Sequence, residues 1–125
     1  MSAGKVLVVD DEPEVRLVLS EFLESRGFEV AAAESGAQAL AMVEEVKPHV
    51  VLLDVTMPQM DGIETLKRLA ALKPGLPIIM VTANADVEIT SKLLGMGAAD
   101  YIPKPFDLDY LGQAVAIQVS ATLEP

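Results

Sequence analysis

Five times along this chain a short run of apolar, largely β-branched residues is followed by a longer segment whose apolar residues recur every three or four positions. No linker, repeat or low-complexity stretch interrupts the alternation. The short runs are Lys5–Val9, Phe28–Ala33, His49–Leu53, Pro77–Val81 and Asp100–Ile102; their length and flanking breakers predict strands. The intervening segments predict helices. Val15, Val18, Leu19, Phe22 and Leu23 define the inward face of the first, over 11–26. Ala39, Leu40, Val43 and Val46 do so for the second, Ile63, Leu66, Leu69 and Ala70 for the third, and Leu108, Leu111, Val115 and Val119 for the last. The fourth, ending near Leu94, reads as the least amphipathic. Ser35, Asp61-Gly62, Asp86 and Asp107 are the starts, and Gly27, Pro48, Pro74-Gly75, Gly95 and Gly97 the stops. Gly112 falls inside the last helix, where it costs up to about 1 kcal/mol relative to alanine.

Strands apolar on both faces, separated by helices, imply a parallel sheet covered on both sides. Right-handed crossovers leave few topologies. The expected fold is α/β: a flavodoxin-like, doubly wound, five-stranded parallel sheet of order 2-1-3-4-5 with five helices. That order centres the first, third and fourth strands, the three most apolar runs, and makes the second an edge strand carrying Glu29. Residues 1–125 read as one domain with its core over about 5–123. A chain of 125 residues, 51% of them apolar, is long enough to bury a core without metal or disulfide staples. There is no cysteine, so thiolate chemistry is excluded. The net charge of −10 argues against direct nucleic-acid binding, which needs basic residues to displace counterions. No apolar run approaches the roughly 20 residues that span a bilayer, and no signal-peptide pattern opens the chain. The expectation is a cytoplasmic protein with no membrane partner.

In such sheets the functional crevice lies beyond the carboxyl ends of the strands. The first strand ends in Asp10-Asp11-Glu12, the third in Asp54 and the fourth in Thr82; Lys104 follows the fifth. Taken singly, each has a bland explanation: acids at a helix N-terminus, a turn aspartate, a structural threonine, a solvated loop lysine. Together, after four strands of one sheet, they make a site. Three acids a few ångströms apart raise one another's pKa unless compensated. Lys104 is one compensation and a hard cation the other. Oxygen donors alone favour magnesium over zinc. A phosphoryl group is the anion such a site can accept, with Lys104 and Thr82 holding its oxygens. The carbonyl of Thr56, after Asp54, is a further oxygen donor, and Lys104-Pro105 is a candidate cis peptide that would aim the lysine over the strand ends. His49, at the opposite edge of the sheet, reads as structural, and the six methionines as core filler.

The motifs Val9-Asp10-Asp11-Glu12, Leu53-Asp54-Val55-Thr56-Met57-Pro58, Met60-Asp61-Gly62, Val81-Thr82-Ala83 and Lys104-Pro105-Phe106 occur in this order over nearly the whole chain. In this the chain resembles the receiver domain of bacterial two-component response regulators, the chemotaxis-regulator type. From Ala83 to Asp100 it has a fainter similarity to receivers of enhancer-binding transcription activators. The resemblance implies that Asp54 is the phosphoacceptor and that Asp10 and Asp11 hold magnesium, Asp11 more directly, with the Thr56 carbonyl. It implies that Thr82 is the switch hydroxyl, Lys104 the phosphoryl-pairing lysine and Tyr101 the rotating aromatic switch. Thr56 and Asn84 stand where such domains tune dephosphorylation. The implied partners are a sensor histidine kinase or histidine phosphotransfer protein and a downstream effector domain or protein, met through the fourth helix, fifth strand and fifth helix. Homodimerisation on phosphorylation is common in the family. Such a domain is not an enzyme beyond its own phosphoryl uptake and autodephosphorylation. The serious rival is a phosphorylation-independent interaction module on the same scaffold, which usually lacks an acid, the acceptor or the lysine. A magnesium-dependent phosphatase needs a cap for which no chain is left, and a flavin module needs a phosphate loop where Asp10-Asp11-Glu12 stands.

Overall fold

Period-two alternation along the strands explains how the sheet is covered. The structure is a computed structural model and describes residues 3–54, 61–82 and 87–123. Among these, β1 (Lys5–Val9), β2 (Glu29–Ala33), β3 (Val50–Asp54), β4 (Ile78–Thr82) and β5 (Asp100–Pro103) alternate with α1 (Pro13–Ser25), α2 (Gly36–Val46), α3 (Asp61–Leu72), α4 (Val87–Gly95) and α5 (Leu108–Leu123). The strands form one parallel sheet of order β2-β1-β3-β4-β5, as expected. Successive side chains along a strand point to opposite faces. Leu7, Val9, Val51, Leu53, Ile78 and Met80 therefore face one way and pack with Ala39 and Val43 of α2, Leu66 and Leu69 of α3 and Leu93 of α4. Val6, Val8, Val50, Leu52, Ile79 and Ile102 face the other way, onto Leu19 and Leu23 of α1 and Leu111, Val115 and Val119 of α5. Every residue of β3 and β4 is buried.

Local chemistry sets the ends of the elements. Pro13 occupies the first turn of α1, where its missing N–H costs nothing. The helix thus begins later than the apolar period suggests and leaves Asp11 and Glu12 outside it. The Ser35 hydroxyl accepts from the Gln38 N–H and caps α2. α2 stops at Val46 because Lys47, before Pro48, turns left-handed at φ 53°. The Asp107 carboxylate accepts from the N–H of Asp109 at 2.9 Å and caps α5. Asp86, the expected cap of α4, lies outside the described residues.

Two expectations are overturned. Val18 is exposed (47%) beside exposed Leu17, because α1 turns Leu19 and Leu23 to the sheet and leaves Val18 on its flank. The least amphipathic helix is α5, not α4, because small and apolar residues surround its axis. Gly112 also gains a reason: a Cβ there would meet the Phe22 ring of α1 at 3.1 Å. Arg26 lies over that ring, 4.8 Å from its centroid, and pairs with Asp109 at 2.8 Å, so a ring and an ion pair bridge α1 and α5 where glycine lets them approach.

Candidate functional site

The strand register assembles the site. Val9 pairs with Leu53, so the next residues, Asp10 and Asp54, leave the sheet side by side. Asp10 stays in register because its N–H donates to the Ala33 carbonyl at 3.1 Å. One strand further on, Thr82 pairs with Pro103, and the Lys104 N–H donates to the Thr82 carbonyl at 2.7 Å. The Lys104–Pro105 bond is cis. The lysine ammonium lies 3.1 Å from Asp54 Oδ2 and 3.8 Å from Asp10 Oδ2. Asp10, Asp54 and Thr82 are buried, while Asp11 and Glu12 stand exposed at the rim.

Burying acids together has an electrostatic consequence. Loss of solvent around Asp10 is the main cause that raises its pKa from 3.8 to about 6. Neighbouring Asp54 adds to the rise, while the Glu12 N–H, donating to Asp10 Oδ1 at 2.9 Å, and Lys104 oppose it. Among the described residues Lys104 is the one cation paired with these carboxylates, which is too little positive charge for the cluster. Carboxylate oxygens of Asp10, Asp11, Glu12 and Asp54 all lie within 4.8 Å of one another. An all-oxygen set, partly buried and short of positive charge, fits a hard divalent cation such as magnesium and is wrong for a thiolate- or imidazole-seeking one. Asp10, Asp11 and Asp54 are the candidate ligands anticipated from the sequence, and Glu12 joins them in the cluster. Thr56 and Asn84 lie outside the described residues.

Half-buried Tyr101 sits on β5 opposite Met80 of β4, two positions before the Thr82–Pro103 pair. It packs against the α2–α4 side of the core and lines a groove with Pro103, Pro105, Asp107 and Tyr110. Arg16 joins the site without having stood out in the sequence. From the second turn of α1 its guanidinium donates to the Asp10 carbonyl at 2.8 Å. Its place four residues after Glu12, the residue that caps the helix, is the only sequence signal for it.

The family model of the response regulator receiver domain matches residues 6–116. The chain belongs to this family. Its kinship with two-component response regulators extends to proteins of different length. Regulatory protein AtoC of Escherichia coli is 44% identical over 112 residues, covering 90% of this chain and 24% of that protein. Sporulation initiation phosphotransferase F of Bacillus subtilis is 37% identical over 115 residues, covering 92% of this chain and 93% of that protein. The receiver domain of the Francisella response regulator 1452 superposes with a TM-score of 0.90 at 32% identity, over 95% of this chain and 98% of that one. The receiver thus spans about a quarter of AtoC and nearly all of phosphotransferase F.

Proposed function

We propose that this receiver domain is a magnesium-dependent phosphoryl-accepting switch with Asp54 as acceptor. The observation that carries it is the buried Asp54 carboxylate at the carboxyl end of the central strand, 3.1 Å from Lys104 and clustered with Asp10, Asp11 and Glu12. Asp10, Asp11 and Asp54, with the Thr56 carbonyl, would hold the metal. Magnesium, when bound, supplies charge neutralisation that lets an anion approach three carboxylates. The chain's own residues do the rest. An Asp54 carboxylate oxygen attacks the phosphorus of a phosphohistidine in line. The P–O bond to Asp54 forms as the P–N bond to the departing imidazole breaks. Lys104 meets the negative charge of the transferred group, and the Thr82 hydroxyl donates to another of its oxygens.

The phosphoryl group adds roughly −1.5 to −2 charge units in a confined place. Thr82 and Lys104 are drawn toward it, and Tyr101 turns inward to fill the space beside Thr82. The face formed by α4, β5 and α5 is then the output surface. The donor is a sensor histidine kinase or a histidine phosphotransfer protein, and the reader an effector domain or protein. The chain is a signalling domain of the cytoplasm that turns over no external substrate. The expected amide-exchange result is a change in protection between residues 86 and 101 on adding a phosphoryl mimic. Equal protection in both states would remove α4 and β5 from the switch.

The deciding experiment is intact mass after incubation with magnesium and acetyl phosphate, beside an Asp54→Asn control. Gain of one phosphoryl group by the wild type alone, abolished by chelation, is the expected result. No gain, followed by no transfer from a phosphohistidine donor, would leave a phosphorylation-independent interaction module.

A further inference from the structure

The acidic cluster lies at a bend in the chain between β1 and α1. β1 ends at Val9 and α1 starts at Pro13, so Asp10, Asp11 and Glu12 must turn from strand to helix within one short loop. Two side-chain bonds tie that loop. Asp10 Oδ1 accepts from the Glu12 N–H at 2.9 Å, which folds the chain back over the Asp10 side chain. Arg16 Nη1 donates to the Asp10 carbonyl at 2.8 Å, which fixes the peptide plane between Asp10 and Asp11. The α1 cap residue Glu12 offers no side-chain hydrogen bond to its own helix, so among the described residues the guanidinium is the side-chain tie between α1 and the end of β1. The same helix turn anchors the donor: the Arg16 N–H bonds the Glu12 carbonyl at 3.1 Å.

We propose that Arg16 is a positioning residue for the cation site: by holding the Asp10 carbonyl it orients the Asp10–Asp11 peptide so that both carboxylates converge on Asp54. The inference rests on the magnesium site proposed above and adds a residue to it that touches neither metal nor phosphoryl group. Its charge and its geometry act in opposite directions. A cation near the acidic cluster repels a bound metal, so removing the charge alone tightens magnesium binding. Removing the tie scatters the carboxylates and weakens it. Partners that orient metal ligands typically contribute about tenfold or more in affinity. The sign of the change therefore separates the two roles.

The test is a magnesium titration of the full chain followed by amide NMR, on wild type, R16M and R16K, with thermal melts taken without metal. The expected result is a magnesium dissociation constant raised about tenfold in R16M. R16K, which keeps the charge but offers one compact donor group instead of a planar fork, falls between R16M and wild type. In the metal-free proteins the amide shifts that move most lie at Asp10–Glu12. Unchanged or tighter binding by R16M overturns the inference, as does a lowered melting temperature with an unaltered dissociation constant. If R16M does not fold, R16K carries the comparison, and wild-type affinity in R16K is then the overturning result. A wild type that binds no magnesium sinks the proposed function and this inference with it, whereas normal wild-type binding with an unmoved variant sinks the inference alone.

Discussion

The two ends of one sheet are built to opposite rules. At the amino edge the chain closes on itself. The Lys5 N–H donates to His49 Nδ1 at 2.9 Å, and the His49 N–H returns to the Lys5 carbonyl at 2.8 Å. Gly4, at φ 140°, lies so close to α5 that a Cβ would stand 2.6 Å from Val119 Cγ1. His49 is thus the structural residue that its position suggested. At the carboxyl edge the strands deliver Asp10, Asp54 and Thr82 into buried positions beside half-buried Lys104, with too little positive charge among them. An edge that satisfies its own polar groups is stable and inert. An edge that leaves charge uncompensated costs stability and binds what compensates it.

The sharpest way to test this contrast is at Lys104. Lys104→Met is expected to slow phosphoryl uptake from acetyl phosphate on the order of 100-fold, the usual cost of losing one charged stabilising group. A variant that takes up the phosphoryl group at the wild-type rate would show that the ammonium near Asp54 is a structural counter-charge only.

Gly4→Ala has the next largest effect, and on the other property. The left-handed-side φ and the contact with Val119 together predict a loss of about 2–4 kcal/mol in urea denaturation, with magnesium affinity unchanged in the folded fraction. A change in magnesium affinity would break the separation between the two edges.

Asp10→Asn tests the stored cost directly. The Asp10 carboxyl titrates near pH 6 in the folded protein and near 3.8 when solvated. Between those values the folded state binds the extra proton, so the stability of the metal-free protein falls as pH rises through this window and stays lower above it. The deficit at neutral pH is about 2–3 kcal/mol. Asp10→Asn removes it, so the metal-free variant is more stable than wild type at pH 7 and flatter between pH 4 and 6. Magnesium at pH 7 stabilises the wild type and does so far less in the variant. Denaturation at several pH values, with and without magnesium, measures all three. A wild type whose stability rises through this window would refute the assigned strain.

His49→Phe has the smallest effect. Leaving the Lys5 N–H without its acceptor costs about 1–2 kcal/mol, and phosphoryl uptake per folded molecule stays at the wild-type level. Slower uptake would mean that the amino edge communicates with the site.

Much of this was legible in one sequence because parallel α/β folds leave a strong trace. Strands buried on both faces are continuous apolar runs, and alternation with helices restricts the strand order to a few choices. The carboxyl-edge residues were legible for the same reason: each directly ends or follows one of those runs. Val18 was not. It fits a helical period with Val15 and Phe22, and only the direction from which the sheet approaches α1 leaves it in solvent. Nor was the relative amphipathicity of α4 and α5, because α5 carries small residues such as Gly112 and Ala114 around its axis, and their burial depends on Phe22 and the sheet.

The order of the elements, the topology of the sheet and the set of charged groups collected at one edge can all be read along the chain. These follow from local periodicity and from chain connectivity, which are written residue by residue. Packing alone sets how far apart those groups stand, that Lys104 reaches both Asp54 and Asp10, and that Asp10 is deprived of solvent enough to hold its proton near pH 6. It also decides that Arg16, one polar residue among several on α1, turns toward the Asp10 carbonyl. Distances and desolvation are properties of elements packed together, and no single stretch of chain carries them.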